Sequence, residues 1–212
     1  MHPVRYPRTV TLRDRKRART RQAIVDAATD LFERDGYETT TIAAIAAAAD
    51  IGTRTFFSYF TSKDEVLFDE FDGRILAAVD AIAARRPDDG PADVLLRALG
   101  DVSAESDDLT GRRAGLRLLL IRTVPAVRGR ALSIQLDAQR EIARHLADAY
   151  DDLTEVTAAA LTGAFMGAIA GASQVLLEGA DRPADPAAVR AALREATDIA
   201  LSPWRNSNKS SR

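Results

Sequence analysis

Two histidines, His2 and His145, no cysteine and no glycine-rich phosphate loop leave this 212-residue chain without a constellation for nucleophilic, acid-base or metal chemistry. No catalytic residue, metal site or cofactor is expected. What remains is charge. Residues 1–63 hold 11 basic side chains (Arg5, Arg8, Arg13, Arg15, Lys16, Arg17, Arg19, Arg21, Arg34, Arg54, Lys63) against 7 acids, about +4, whereas the other 18 basic and 24 acidic residues leave about -6. The positive end is a candidate polyanion surface. Most of its excess precedes residue 22, so residues 1–19 read as a basic flexible arm, and the plainer reading of such a run is a solubilising tail.

The elements that would position these charges are helical. Apolar residues recur at three- and four-residue spacing almost throughout, Ala is abundant and β-branched runs are few, which predicts an all-α fold of about nine helices. From about Thr20 to Asp35, Ile24, Ala27, Ala28, Leu31 and Phe32 share one face, and Gly36 ends the pattern. Thr39, Thr40 and Thr41 offer hydroxyl caps for a short helix over Ile42 to Ala49 with Ile42, Ile45 and Ala46 inward. Asp50-Ile51-Gly52 breaks it, and a second short helix, Thr53 to Phe60, turns Phe56 and Phe60 inward and Thr53, Arg54, Thr55, Phe57 and Tyr59 outward. Two short helices across a tight turn are the helix-turn-helix pattern.

Ser62-Lys63-Asp64-Glu65 reads as a capping box opening one long helix through Val66, Phe71, Ile75, Val79 and Ile82. Further helices are expected at about 92–106, 112–123, 126–151, 154–178 and 186–201, with a fraying tail. The organisation is then an arm at 1–19, a helix-turn-helix head at 20–66, a ligand-binding and dimerisation body at 67–202 and a flexible tail at 203–212.

Val156 to Leu177 carries no charged residue and is long enough to cross a bilayer. Its Ala, Gly, Thr and Ser content and its acidic flank, Asp151, Asp152 and Glu155, argue against insertion. A helix buried on several sides accounts for it better. Gly163, Gly167 and Gly171, four residues apart, form a smooth ridge facing either a subunit interface or the subunit's own core. The start of the chain has no apolar signal segment, so a cytoplasmic, non-membrane location is expected.

The run from Thr41 to Leu67, with Asp50-Ile51-Gly52, Phe56-Phe57, Tyr59-Phe60 and Ser62-Lys63-Asp64-Glu65, and upstream Ala28, Leu31-Phe32 and Gly36-Tyr37, resembles the DNA-binding region of the TetR family over about residues 20–70. The resemblance implies a homodimeric transcriptional regulator, commonly a repressor, that places one recognition helix per subunit in successive major grooves of a pseudo-palindromic double-stranded operator. It assigns base-edge contacts to Thr53, Arg54 and Thr55 and phosphate contacts to Phe57, Tyr59 and Lys63, with Thr41 offering its backbone N–H to phosphate. The chemistry fits Arg54 for a bidentate guanine contact, Thr55 for a thymine methyl, and Lys63 and the Tyr59 hydroxyl for phosphate. Phe57 cannot donate and stands where many members have Tyr, so it is expected to pack against sugar. Asp50 replaces a frequent Gly in the turn, and Ala43-Ala44 leave the second helix without polar readers. In this setting the basic arm is expected to reach a flanking minor groove.

In such regulators the body binds a small molecule that releases DNA. Leu116, Leu120, Leu132, Gln135, Leu136, Phe165, Met166, Ile169 and Ser173 are the candidate pocket residues, suited to a largely apolar effector with few polar handles. Each is equally an ordinary core position. The stretch Leu120 to Arg130 loosely resembles the bodies of actinobacterial members that respond to acyl chains or acyl-CoA. Dimerisation is expected through about 154–178 and 186–201. The competing classes are an enzyme, for which no constellation stands out, and a helical ligand carrier whose head no longer binds an operator, against which the basic head argues.

Overall fold

The computed structural model describes residues 11–105, 111–178 and 185–207. Arg5, Arg8 and His2 of the expected arm, the turns expected near 106–110 and 179–184, and tail residues 208–212 lie outside them. The described residues form nine α-helices and one short 3-10 turn, as the apolar periodicity requires. They divide into two compact units, residues 1–69 and residues 70–212.

In the first unit, α1 spans Leu12–Asp35. The Thr11 hydroxyl accepts from the Asp14 N–H at 3.1 Å and the Asp14 carboxylate accepts from the Thr11 N–H at 3.0 Å. This reciprocal cap starts the helix eight residues earlier than the apolar face alone suggests. The expected flexible arm is therefore helix from Leu12 onward. Ile24, Val25, Ala28, Leu31 and Phe32 form its buried side, and the helix closes at Gly36, whose φ of +87° suits a residue without Cβ. Helix α2, Ile42–Ala48, is capped by the Thr41 hydroxyl, which accepts from the Ala44 N–H at 3.1 Å.

The turn to α3 passes through Asp50 at φ +53°, a left-handed position that Asp tolerates better than most side chains. Helix α3 is shorter than its sequence pattern implies, Thr53–Phe56. Beyond it the Ser58 and Tyr59 N–H groups bond to Thr55 and Phe56, three residues back, which tightens the backbone out of α geometry. Phe56 and Phe60 remain fully buried, their ring centres 5.9 Å apart.

The single long helix expected after Ser62 does not form. The Ser62 hydroxyl accepts from the Glu65 N–H at 3.4 Å as expected, but the Glu65 carboxylate turns back to accept from the Thr61 N–H at 2.5 Å and its hydroxyl at 2.7 Å, and only a 3-10 turn, Glu65–Phe68, follows. Glu70, at φ -91° and ψ -1°, breaks the backbone, and α4 begins at Phe71 and runs to Ala83. The interruption falls where the chain leaves the first unit.

The second unit contains α4, α5 (Pro91–Glu105), α6 (Arg112–Thr123), α7 (Pro125–Ala149), α8 (Glu155–Glu178) and α9 (Pro186–Ser207). Proline opens α5, α7 and α9, where its missing N–H costs no helical bond. Its core joins Ile82 of α4, Leu95 of α5, Leu146 of α7, Leu161 and Phe165 of α8, and Leu193 and Leu201 of α9. Helix α9 continues through Pro203 into the expected tail. The Ile199 carbonyl, which a residue 203 N–H would have bonded, accepts from the Ser202 hydroxyl at 2.9 Å. Trp204 packs on the core, and Arg205 pairs with Asp198 at 2.9 Å and Asp93 at 3.1 Å, which holds the extra turns.

Helix α8 is not buried on several sides. Ala158, Leu161, Thr162 and Phe165 face inward, whereas Val156, Ala160, Gly167, Ala170, Gly171 and Val175 are exposed. Its segment Glu155–Leu176 is long and apolar enough to cross a membrane, with 22% of that window buried within the chain. The glycine ridge divides: a Cβ at Gly163 would come 3.0 Å from the Gln139 amide nitrogen of α7, while Gly167 and Gly171 face open space.

Candidate nucleic-acid interface

The first unit presents Thr53, Arg54 and Thr55 to solvent on α3, and Thr41 at the start of α2. Their position follows from what lies behind them. Phe56 and Ile45 are wholly buried, so the opposite side of α3 must point outward. Phe57 is 55% exposed and meets Phe56 edge-on at 5.6 Å, an apolar face available to sugar and incapable of donating a hydrogen bond. The Thr41 hydroxyl is engaged in its cap, which pins the first turn of α2.

Lys63 is drawn inward rather than left in solvent. Its ammonium donates to the Tyr37 carbonyl at 2.6 Å and to the Thr40 carbonyl at 3.0 Å, and stands 4.2 Å from the Tyr37 ring centre. Two of its three N–H groups thus hold the turn between α1 and α2. The Tyr37 phenol is itself pushed up to about 12 by burial, with Asp64 and Glu38 acting in the same direction.

Two residues to which sequence reasoning gave no part in this site, Arg17 of the expected arm and Arg21 near the start of the expected first helix, build its other side. Arg21 pairs with Asp69, donates to the Tyr59 carbonyl at 3.2 Å and lies 4.4 Å from the Phe60 ring centre. Arg17 donates to the Ser58 carbonyl at 3.4 Å and stacks 4.9 Å from the Tyr59 ring centre. Together they fix the tight turn after α3 and leave Tyr59 half-buried. The signal was present in the spacing: Arg17 and Arg21 fall on the same stripe of α1 as Ile24 and Ala28.

In the second unit the candidate pocket residues do not all converge. Leu116, Leu120 and Phe165 are buried, and Gln135, Met166, Ile169 and Ser173 are half-buried. Leu132 and Leu136 are 54% and 61% exposed, which removes them from the interior of this unit. The inward stripe of α7 runs through Val127, Ala138, Ile142 and Leu146, and this phase puts Leu132 and Leu136 on the far side. The sequence also missed Arg117, buried on α6 between Leu116 and Leu120, with Glu70, Arg113 and Phe71 nearby. Burial pushes its guanidinium below the usual range, Arg113 adds to that, and Glu70, bonded to Arg113 at 2.6 Å, opposes it. An apolar interior with few polar handles is therefore incomplete, since α6 carries a cation inside.

A short exposed helix, seated by a buried aromatic pair behind a capped helix and a left-handed turn, defines the first unit as a helix-turn-helix head. Residues 24–69 match the family of bacterial regulatory proteins of the tetR type. The chain is similar to the HTH-type transcriptional regulator TcmR of Streptomyces glaucescens, 33% identical over 120 residues, 56% of this chain and 53% of that one. It is also 48% identical over 48 residues to HbdR of Aromatoleum sp., 23% of this chain and 21% of that protein. The chain thus spans about half the length of the first of these relatives and less of the second. The fold resembles Thermus thermophilus FadR, a TetR family repressor solved with lauroyl-CoA, with a TM-score of 0.55 at 20% identity over 85% of this chain and 93% of that one. Residues 24–69 thus carry a DNA-binding region of the tetR type, and the rest of the chain shares the fold of such regulators.

Proposed function

We propose that this protein is a sequence-specific DNA-binding transcriptional regulator, a homodimeric repressor released from a pseudo-palindromic operator by a small, largely apolar effector. The observation that carries the reading is the outward display of Thr53-Arg54-Thr55 on a helix whose other side is locked by Phe56 and Phe60. Arg54 reads a guanine edge and Thr55 a thymine methyl, while Thr41, Phe57, Tyr59 and Lys63 meet the backbone around them. The inward bonds of Lys63 make its main part that of holding the turn, with one N–H left for phosphate.

The dimer is proposed through α8 and α9. Gly167, Ala170, Gly171 and Val175 on α8 are exposed small or apolar residues, as is Ile199 on α9, and among the described residues no side chain lies over either glycine. A second copy covers them by close helix packing, which also accounts for an apolar helix without recourse to a bilayer. The effector reading is supported by Leu116, Leu120 and Phe165, with Met166, Ile169, Ser173 and Gln135 at the margin. Buried Arg117 on the same α6 favours an acyl chain with an anionic head, a description that acyl-CoA meets, and FadR of Thermus thermophilus was solved with lauroyl-CoA. Such a regulator acts in the cytoplasm.

Selection of bound duplexes from a random DNA library tests the reading. One inverted repeat with half-sites about a helical turn apart is expected. Arg54→Ala is expected to weaken binding to that repeat by about 1–3 kcal/mol and to relax one base pair. Recovery of no duplex by a folded dimer sinks the operator reading.

A further inference from the structure

Helix α1 runs 12 residues ahead of the family-matched segment, and over Leu12 to Arg19 every residue is exposed. Those eight residues carry Arg13, Arg15, Lys16, Arg17 and Arg19 against Asp14 alone. Cations three and four apart on a helix repel one another, and nothing apolar is buried there in return. The Thr11 and Asp14 cap nonetheless closes the end as a helix. A helix with side chains is about 10–12 Å across, whereas the minor groove of B-DNA is about 6 Å wide. Residues 12–19 therefore cannot enter a minor groove as an extended arm would.

Their direction is set by two bonds already described. Arg17 and Arg21 are tied to Ser58 and Tyr59 at the end of the recognition element. Arg13 lies one turn further along the same stripe, and Arg15 and Arg19 lie on the opposite side of the helix. Arg17 uses one long bond, which leaves most of its five N–H donors for another acceptor beside Tyr59.

We propose that Arg13 and Arg17 form a second, sequence-independent phosphate clamp, gripping the DNA backbone that flanks each half-site beside Tyr59. This rests on the DNA-binding reading above and adds an element outside the helix-turn-helix. The clamp raises affinity for all duplexes alike and carries no base preference.

The test is the salt dependence of binding of the full-length protein to a random-sequence duplex of about three helical turns, which requires no knowledge of the operator. Each lost phosphate contact reduces the slope of log K against log salt by about 0.9. Arg13→Gln is expected to lower the slope by about 1 and the Arg13→Gln, Arg17→Gln pair by about 2. The opposite-side pair Arg15→Gln, Arg19→Gln should lower it by less than half as much. Arg13 is exposed, so its variant is expected to melt with the parent, which keeps the single substitution decisive even where Arg17→Gln loosens the Tyr59 turn. An unchanged slope in the Arg13 and Arg17 variants overturns the clamp, as does an equal fall in the Arg15 and Arg19 pair, which would reveal a diffuse field instead. Normal slopes without any selected operator would leave the clamp standing and remove sequence-specific recognition.

Discussion

Lys63 and Tyr37, 26 residues apart, are joined twice: the lysine ammonium donates to the tyrosine carbonyl at 2.6 Å and lies 4.2 Å from the centre of its ring. A residue at the position expected to meet phosphate is thereby also a structural brace for the turn that leads into α2. Lys63→Ala should lower unfolding stability by about 1–2 kcal/mol, because two charge-assisted bonds at a half-buried site are lost together. Its effect on DNA binding should be similar for every sequence. Chemical denaturation and binding to two unrelated duplexes check both parts; an unchanged stability would mean the brace is absent in solution.

Asp50 occupies a left-handed conformation, φ +53°, between α2 and α3. Asp50→Gly should keep or raise stability, whereas Asp50→Ala should lower it by about 1 kcal/mol, since Ala has neither glycine's freedom nor the polar side chain that eases this conformation. The order Gly, Asp, Ala in denaturation midpoints is the expected result, and an Ala variant as stable as Gly would contradict it.

The Tyr37 phenol, pushed up to about 12 from the ordinary 10 by burial and by Asp64 and Glu38, makes alkaline stability depend on this residue. A folded-state value raised above the unfolded one gives a contribution that is complete below about 10 and is lost as pH rises through about 12. Stability should therefore fall across that window, and less steeply in Tyr37→Phe. Ultraviolet titration of phenolate should show a late component that the same substitution removes.

Gly167 faces open space within the subunit. Gly167→Leu should leave the monomer fold intact, with a helix-propensity gain of about 0.8–1 kcal/mol, and weaken dimerisation at least about tenfold. Gly163→Leu should instead disturb packing, because its side chain would meet Gln139. Sedimentation velocity separates the two, and a Gly167→Leu protein that dimerises like the parent would place the interface elsewhere.

Much of the head was legible because its signals are local. Gly36, the Thr41 cap, Asp50 and the inward pair Phe56 and Phe60 are each set by a residue's own backbone preference or by one helical turn of spacing. The helix boundaries that failed depend on partners chosen at short range but not by pattern. Thr11 and Asp14 extend α1, the Glu65 carboxylate bonds to Thr61, and the backbone breaks at Glu70 within a run that the apolar spacing would have continued.

The sequence by itself determined an all-helical chain, the helix-turn-helix head and the outward Thr53, Arg54 and Thr55, because hydrophobic periodicity fixes which side of each helix is buried. Tertiary structure alone decided that Lys63 turns to Tyr37, that Arg17 and Arg21 bond to the Ser58 and Tyr59 carbonyls after α3, and that Leu132 and Leu136 face out while Arg117 faces in. It also decided that Gly163 serves the core and Gly167 and Gly171 do not. Those outcomes rest on the rotation of one helix against another and on the reach of long cationic side chains, which join residues tens of positions apart; periodicity marks at most the side of a helix, as for Arg17 and Arg21, and never the partner.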